Sequence, residues 1–242
     1  SSYRAYFIGP QPCPRMAGMA SLFLFVCTIA FAQEREGFTV STSSKTTEEI
    51  SRVGKDVRFV DSYDFESEKP IMLTDALEGL EGVRVKRIGG QSALTSVRIR
   101  GGRSYDTKLL LNGFPLNDPS DPQSSANPFW GDLTMAGIQR IEILQGPSAT
   151  HWGSSAQAGV VNLLPPRQAQ VHALGGSFDT FFEGADTPWV SVWRLDSDGI
   201  EIFDDLETTG FLSGLQRDFG LFHVETTAFY QDTDAKLNGG PF

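Results

Sequence analysis

The stretch from Ile141 to Pro165, IEILQGPSATHWGSSAQAGVVNLLP, constrains the fold more than any other part of the chain. Ile141-Glu142-Ile143-Leu144 has the branched, extended character of a strand, and Val160 to Leu164 has it again. Between them lie a Gly146-Pro147 corner, an aromatic residue, Trp152, and a run of small or polar residues containing Gly153 and Gly159. Two strands joined in this way need a backbone folded tightly on itself, with glycine where a side chain would block turning or close approach. Nothing in the stretch is a catalyst.

Further short strands are expected at Val83 to Arg87, Ser96 to Arg100, Lys108 to Leu111 and Gln139 to Leu144, with turns at Asn112-Gly113 and Asn117-Asp118-Pro119. Ile71, Leu73, Ala76, Leu77 and Leu80 recur at helical spacing within Pro70 to Leu80. The region up to Arg167 therefore reads as a small α+β domain. Ahead of it, Glu34 to Lys55 is polar and rich in Ser and Thr, with one apolar cluster, GFTVSTS from Gly37 to Ser43. That composition predicts a flexible arm with a short extended segment.

The amino terminus reads as a targeting segment. Ala20 to Ala32, ASLFLFVCTIAFA, is an unbroken apolar run ending in the small-x-small pattern of a cleavage site, and it is too short to span a bilayer as a helix. Residues 1–32 are thus expected to be a signal peptide with an upstream extension, the start codon being Met16 or Met19. The two cysteines of the sequence, Cys13 and Cys27, both lie in this segment. A product beginning at Gln33 has neither disulfides nor thiolate metal sites.

Charge divides the remainder. Residues 33–167 hold 17 acidic and 15 basic side chains, whereas 168–242 hold 13 acidic and 3 basic. The acidic second part has no basic cluster, which argues against a nucleic-acid partner. Its texture also differs: five segments, roughly 169–175, 178–185, 188–197, 210–219 and 221–231, alternate two by two between short turns. In the last, Phe222, Val224, Thr226, Ala228 and Tyr230 share one face and Leu221, His223, Glu225, Thr227 and Phe229 the other. Outer-membrane strands alternate in this way, and so does a soluble antiparallel sheet.

Taken in order, these segments carry a family resemblance. LTDALEGLEGVRVKRIGGQSALTSVRIRGGRSYDTKLLLNGFPLNDPS, Leu73 to Ser120, followed by IQRIEILQGPSATHWGSSAQAGVVNLLP, Ile138 to Pro165, resembles the plug domain of TonB-dependent outer-membrane receptors, on the cobalamin or siderophore-like side of that family. The matching positions are Arg100 and Gly101, Asn112 and Gly113, Arg140 and Glu142, Gly146 and Pro147, Trp152 and Gly153, and Gly159. Departures from the family pattern are Glu81, Asn112, Gln145, Trp152 and the Leu163-Leu164-Pro165 end. Phe38, Thr39, Val40, Ser41 and Thr42 resemble the TonB box, a strand-forming segment suited to β-augmentation of a partner's sheet; an ordinary disordered arm is the other reading.

The resemblance implies a fold class, an α+β plug domain followed by antiparallel strands of an incomplete transmembrane β-barrel. Residues 33–58 would be the arm with the box, 59–167 the plug, and 168–242 the first strands of a barrel of about 22. The chain is accordingly expected to be a fragment, a truncated gene model or a pseudogene product. The implied activity is energy-coupled uptake of a scarce metal-chelate ligand, a siderophore–iron complex or cobalamin, through the plug as gate. The implied partners are TonB, with its ExbB–ExbD complex, and the outer membrane. The alternative from another class is a soluble periplasmic binding or interaction protein built on a plug-like domain.

Chemistry is sparse. His151, His172 and His223 lack metal-ligand spacing, GGRS and GSS lack the lysine of a phosphate loop, and no catalytic set is expected. Asp196, Asp198, Glu201, Asp204 and Asp205 are either a solvated acidic loop or oxygen ligands for Ca²⁺ in an early extracellular loop, which certain relatives have. No other cofactor is expected. Ligand contact is expected from the outward loops 88–93, 102–106 and 117–129 and their neighbours, with Gln91, Ser92, Arg103, Ser104, Tyr105, Asn127 and Trp130 as the contacting residues. Arg100, Arg140 and Glu142 are either plain surface charges or members of ion pairs that hold the plug in a polar lumen.

Overall fold

The structure, a computed structural model, describes residues 39–40, 42, 48–49, 53–61, 70–88, 93–118, 120–122, 125–166, 170–175, 180–187, 190–198, 205–219 and 222–235. The signal segment, Phe38, Ser41, Gln91, Ser92, Glu201 and Asp204 lie outside them.

A mixed five-stranded sheet forms the middle of the first domain, in the order β3-β8-β9-β6-β7. Its members are β3 (Asp56–Asp61), β6 (Thr107–Leu111), β7 (Phe114–Pro115), β8 (Arg140–Gln145) and β9 (Gly159–Leu164). Strands β8 and β9 are antiparallel neighbours, with Ile141 opposite Leu163 and Leu144 opposite Val160. The two strands expected from Ile141 to Pro165 thus lie side by side at the centre. Strand β6 runs parallel to β9, and a separate hairpin is made by β4 (Val83–Arg87) and β5 (Thr95–Ile99). Strand β3, which pairs with β8, straddles the expected end of the arm at residue 58: the charged DVRFVD segment hides its one buried apolar residue, Val60, behind polar neighbours.

The sheet buries both faces, so its central strands read as continuous apolar runs. One face, with Leu109, Leu111, Ile141, Ile143, Val161 and Leu163, packs on helix α1 (Leu73–Leu77) and the short helix α2 (Asn127–Trp130). The other, with Leu110, Leu144 and Val160, lies under Ala156 and Trp152 of the 146–158 connection, which contains α3 (Ala149–Trp152). The close approach explains Gly159, where a Cβ would sit 2.5 Å from the carbonyl oxygen of Leu144 and 2.7 Å from the Ile99 side chain.

The second sheet is antiparallel, in the order β10-β11-β12-β13-β14. It comprises β10 (Gln170–Gly175), β11 (Phe181–Asp186), β12 (Val190–Ser197), β13 (Leu206–Phe219) and β14 (Phe222–Ala235). The sheet does not close: β10 and β14 each have one neighbour in it. All five expected strands are present, β13 and β14 running several residues further than their alternation suggested. Val190, Val192, Phe211, Val224 and Tyr230 face outward and are exposed, and Phe211 stacks on Tyr230 with ring centroids 6.0 Å apart. Phe182, Trp193, Leu195, Leu206 and Leu212 face the first domain and belong to the same buried cluster as Leu73, Trp130 and Ile141. The lumen side of these strands therefore mixes apolar side chains with buried polar ones, among them Asp186, Ser191, Ser197 and Thr208, where a polar lumen was expected. Packing against the domain removes the inward side chains from water, so apolar contact wins there.

Candidate functional site

Thr42 is the residue on which the site is built. Val40 and Thr42 have no exposed surface, and β1 (Thr39–Val40) pairs with β2 (Glu48–Glu49). The Thr42 amide donates to Glu142 Oε2 at 3.1 Å, and its hydroxyl donates to the same oxygen. Asn162 Nδ2 donates to the Thr42 hydroxyl at 3.0 Å, and Trp152 Nε1 to the Thr42 carbonyl at 2.8 Å. Every polar group of Thr42 is thereby satisfied in a place without water, which is what allows a threonine to be buried at all. Two of these bonds end on a carboxylate and are correspondingly strong. Glu142 and Asn162 are directly opposite across β8 and β9, so the strand pair is the cradle and Trp152 its lid.

The Asn112-Gly113 turn continues this network. Both residues are left-handed, with φ of 49° and 80°, as a two-residue hairpin turn between β6 and β7 requires. The Gly113 amide donates to Asn162 Oδ1 at 3.0 Å and that of Asn112 to the Leu163 carbonyl at 2.7 Å. On its other side, Asn112 Nδ2 donates to Glu225 Oε1 at 2.8 Å and Thr227 Oγ1 at 3.0 Å, both on β14. A second tie between domain and wall runs from Gln231 Nε2 to the Asp132 carbonyl at 2.7 Å.

The motif charges do form pairs. Arg100, itself left-handed with φ of 48°, reaches Asp56 at 2.8 Å and Gln145 Oε1 at 3.1 Å. Gln145 in turn donates to the Glu81 carbonyl at 2.7 Å. Arg140 lies 3.2 Å from buried Glu142 and sits over the Phe59 ring at 4.4 Å from its centroid. Beneath the 146–158 connection, burial pushes the Lys108 ammonium below its ordinary pKa; its Nζ donates to Ser155 at 3.2 Å.

The expected ligand residues have different fates. Arg103 makes a two-pronged bond to Asp106, at 2.8 and 2.9 Å, and lies over the Tyr105 ring, 4.5 Å from its centroid. The guanidinium holds the Asp106 carboxyl below the usual carboxylate range. Ser104 and Tyr105 are half-buried beside them, so this loop is organised around its own charges. Asn127 is half-buried. Trp130 corrects the expectation: its side chain has no exposed surface and packs in the core, because α2 turns it inward to close the apolar layer. Of the acidic loop, Asp196 pairs with Arg194 at 3.5 Å, and no group of three or more His, Cys, Asp or Glu converges among the described residues.

Asn162 and Thr227 were not singled out from the sequence. Asn162 was visible as the one polar residue of GVVNLL, where an amide in an otherwise apolar central strand needs two partners.

This geometry defines a class: an α+β domain that holds Thr42 of its own amino-terminal segment against a sheet and seats on the inner face of antiparallel strands whose outer face carries an exposed apolar row. Residues 45–160 match the model of the TonB-dependent receptor plug domain, so this part of the chain is a plug domain of that type. It is 26% identical over 147 residues to the vitamin B12 transporter BtuB of Vibrio vulnificus (strain CMCP6), covering 60% of this chain and 23% of that one. The chain thus spans about a quarter of that relative's length. Its fold is similar to the ferripyoverdine receptor of the Pseudomonas aeruginosa outer membrane, with a TM-score of 0.63 and 15% identity over 85% of this chain and 29% of that chain. It is likewise similar to the alcaligin outer-membrane receptor FauA of Bordetella pertussis, at TM-score 0.61 and 17% identity over 81% of this chain and 35% of that chain.

Proposed function

We propose that the chain is the gate-bearing part of an outer-membrane receptor that imports a metal-chelate ligand, a siderophore–iron complex or cobalamin, by energy coupling through TonB. The observation that carries this reading is the docking of Thr42 on Glu142, Asn162 and Trp152. Thr42, in a segment suited to strand addition, is stored with its own polar groups hydrogen-bonded on the sheet that fills the barrel. Removing it from the cradle both presents it to a partner in the periplasm and disturbs the sheet. In this reading residues 1–32 direct export, TonB engages 38–42, and the protein is a transporter rather than an enzyme.

The outward row of Val190, Val192, Phe211, Val224 and Tyr230 supports a lipid-facing wall and disfavours a soluble periplasmic protein, for which such a patch is a liability. The relatives' names support the ligand class: BtuB is a vitamin B12 transporter, and the Pseudomonas receptor is bound to ferripyoverdine. The test is uptake of radiolabelled cobalamin and of ferric siderophores by cells carrying the full-length gene, with and without TonB. Uptake of one ligand that requires TonB and residues 38–42 is expected. Recovery of the protein in the soluble periplasmic fraction, or uptake indifferent to TonB, would overturn the reading.

A further inference from the structure

Asn162 has two separate attachments through one carboxamide. Its side chain is 2% exposed, its Nδ2 donates to the Thr42 hydroxyl at 3.0 Å, and its Oδ1 accepts from the Gly113 amide at 3.0 Å. A carboxamide offers a donor and an acceptor at fixed separation on one planar group. Aspartate would lose the donor and would face Glu142 directly, since those two positions are paired across β8 and β9. Beyond Gly113, the turn is fastened to the wall by Asn112 Nδ2 on Glu225 and Thr227. A continuous series of hydrogen bonds therefore runs from Thr42, through Asn162 and the turn, to β14.

We infer that Asn162 is the positioning residue that makes release of the Thr42 segment depend on the seating of the Asn112-Gly113 turn against the wall. The inference rests on the gating role proposed above and assigns its control to particular atoms. When the turn leaves Glu225 and Thr227, it takes its amide from Asn162 Oδ1 and the Leu163 carbonyl. The carboxamide is then left with an unmatched buried oxygen, which costs free energy unless the side chain reorients toward new partners. Reorientation removes the bond to Thr42, leaving Thr42 hydrogen-bonded to Glu142 and Trp152. The turn is joined through β7, Phe114–Pro115, to the loop beginning at Leu116, so movement of that loop acts on the turn first. Asn112 suits this place better than the aspartate common in the family, because an aspartate would set two carboxylates against each other at Glu225.

The test is amide hydrogen exchange on the full-length receptor in outer-membrane vesicles, comparing the segment 39–42 with the core strand Ile141–Leu144. Asn112→Asp and Asn162→Ala are each expected to raise exchange of 39–42 about tenfold, the size of one or two net hydrogen bonds, with the core strand unchanged. Combining Asn112→Asp with Glu225→Gln reverses the donor and acceptor and is expected to restore protection. The inference is overturned if Asn112→Asp leaves 39–42 protected, if the double variant fails to restore it, or if the core strand loosens equally, which would make the turn a folding element only. Exchange is read without ligand or TonB, so failure of uptake would sink the proposed function and leave this result standing.

Discussion

Trp152 donates its indole N–H to the carbonyl oxygen of Thr42 at 2.8 Å, joining residues 110 positions apart in sequence. The bond closes the one side of Thr42 that the sheet itself cannot reach. Trp152→Phe keeps the ring and deletes the donor, and Thr42→Val keeps the shape and deletes the hydroxyl. Each is expected to leave the domain folded and to expose the segment to added protease, with cleavage near residue 42 faster by about five- to tenfold. Equal cleavage of wild type and both variants would mean that packing of Val40, not the polar cradle, retains the segment.

The Arg103–Asp106 clasp predicts an acid limb. The folded-state pKa of Asp106 lies below its unfolded value because Arg103 donates to the carboxylate. The stability it contributes is present above about pH 4, the unfolded value, and is lost as pH falls through the folded value. Asp106→Asn is expected to lower the melting temperature at neutral pH and to flatten its fall below pH 4. Parallel melting curves for variant and wild type across pH 7 to 3 would contradict this.

Gly159→Ala tests how tightly the two central strands are stacked on β5. The new methyl would meet the Leu144 carbonyl oxygen at 2.5 Å and Ile99 at 2.7 Å, and backbone cannot step aside as a side chain can. Overpacking of this kind costs about 1–3 kcal/mol. A chemical denaturation midpoint unchanged from wild type would show that the strands are looser than their geometry indicates.

Phe211→Arg should separate lipid-facing from water-facing strands. Phe211 stands in the outward apolar row, whereas Arg194 on the same face is paired with Glu207, near the start of β13, at 2.7 Å. An arginine at mid-depth costs about 2–4 kcal/mol, falling to nearly nothing at the interface. The heat-modifiable folded band of the full-length protein is expected to diminish for Phe211→Arg and to persist for Glu207→Arg. Equal assembly of both would argue for a wall in water.

Much of this arrangement was legible before any coordinates. Paired strands within Ile141 to Pro165, the Asn112-Gly113 turn and the alternating wall strands all follow from local periodicity and turn chemistry, which act over a few residues. What escaped was long-range. Composition marks the Thr42 segment as an arm, yet side chains from β8, α3 and β9 hold Thr42 itself at a fully buried position. Trp130 reads as a loop aromatic facing a ligand, but a helix of one turn rotates it into the core. The apolar patch of the inner wall does not follow from alternation, which tells which residues share a face and not what covers that face.

The order β3-β8-β9-β6-β7 also fixes a load path. Tension applied at Thr42 passes β2 before it reaches β3, an edge strand whose one strand partner in its sheet is β8. At the other extreme, β9 is tethered to the wall strand β10 through residues 165–169 and cannot travel far. A pulled chain is therefore expected to shed β3 before β8, and to keep the parallel pair β6 and β9 longest. Force spectroscopy on the anchored receptor should give a first extension ending between Asp61 and Leu73; rupture of β6 from β9 at the outset would show another path. Topology thus sets which part of the domain yields first under tension.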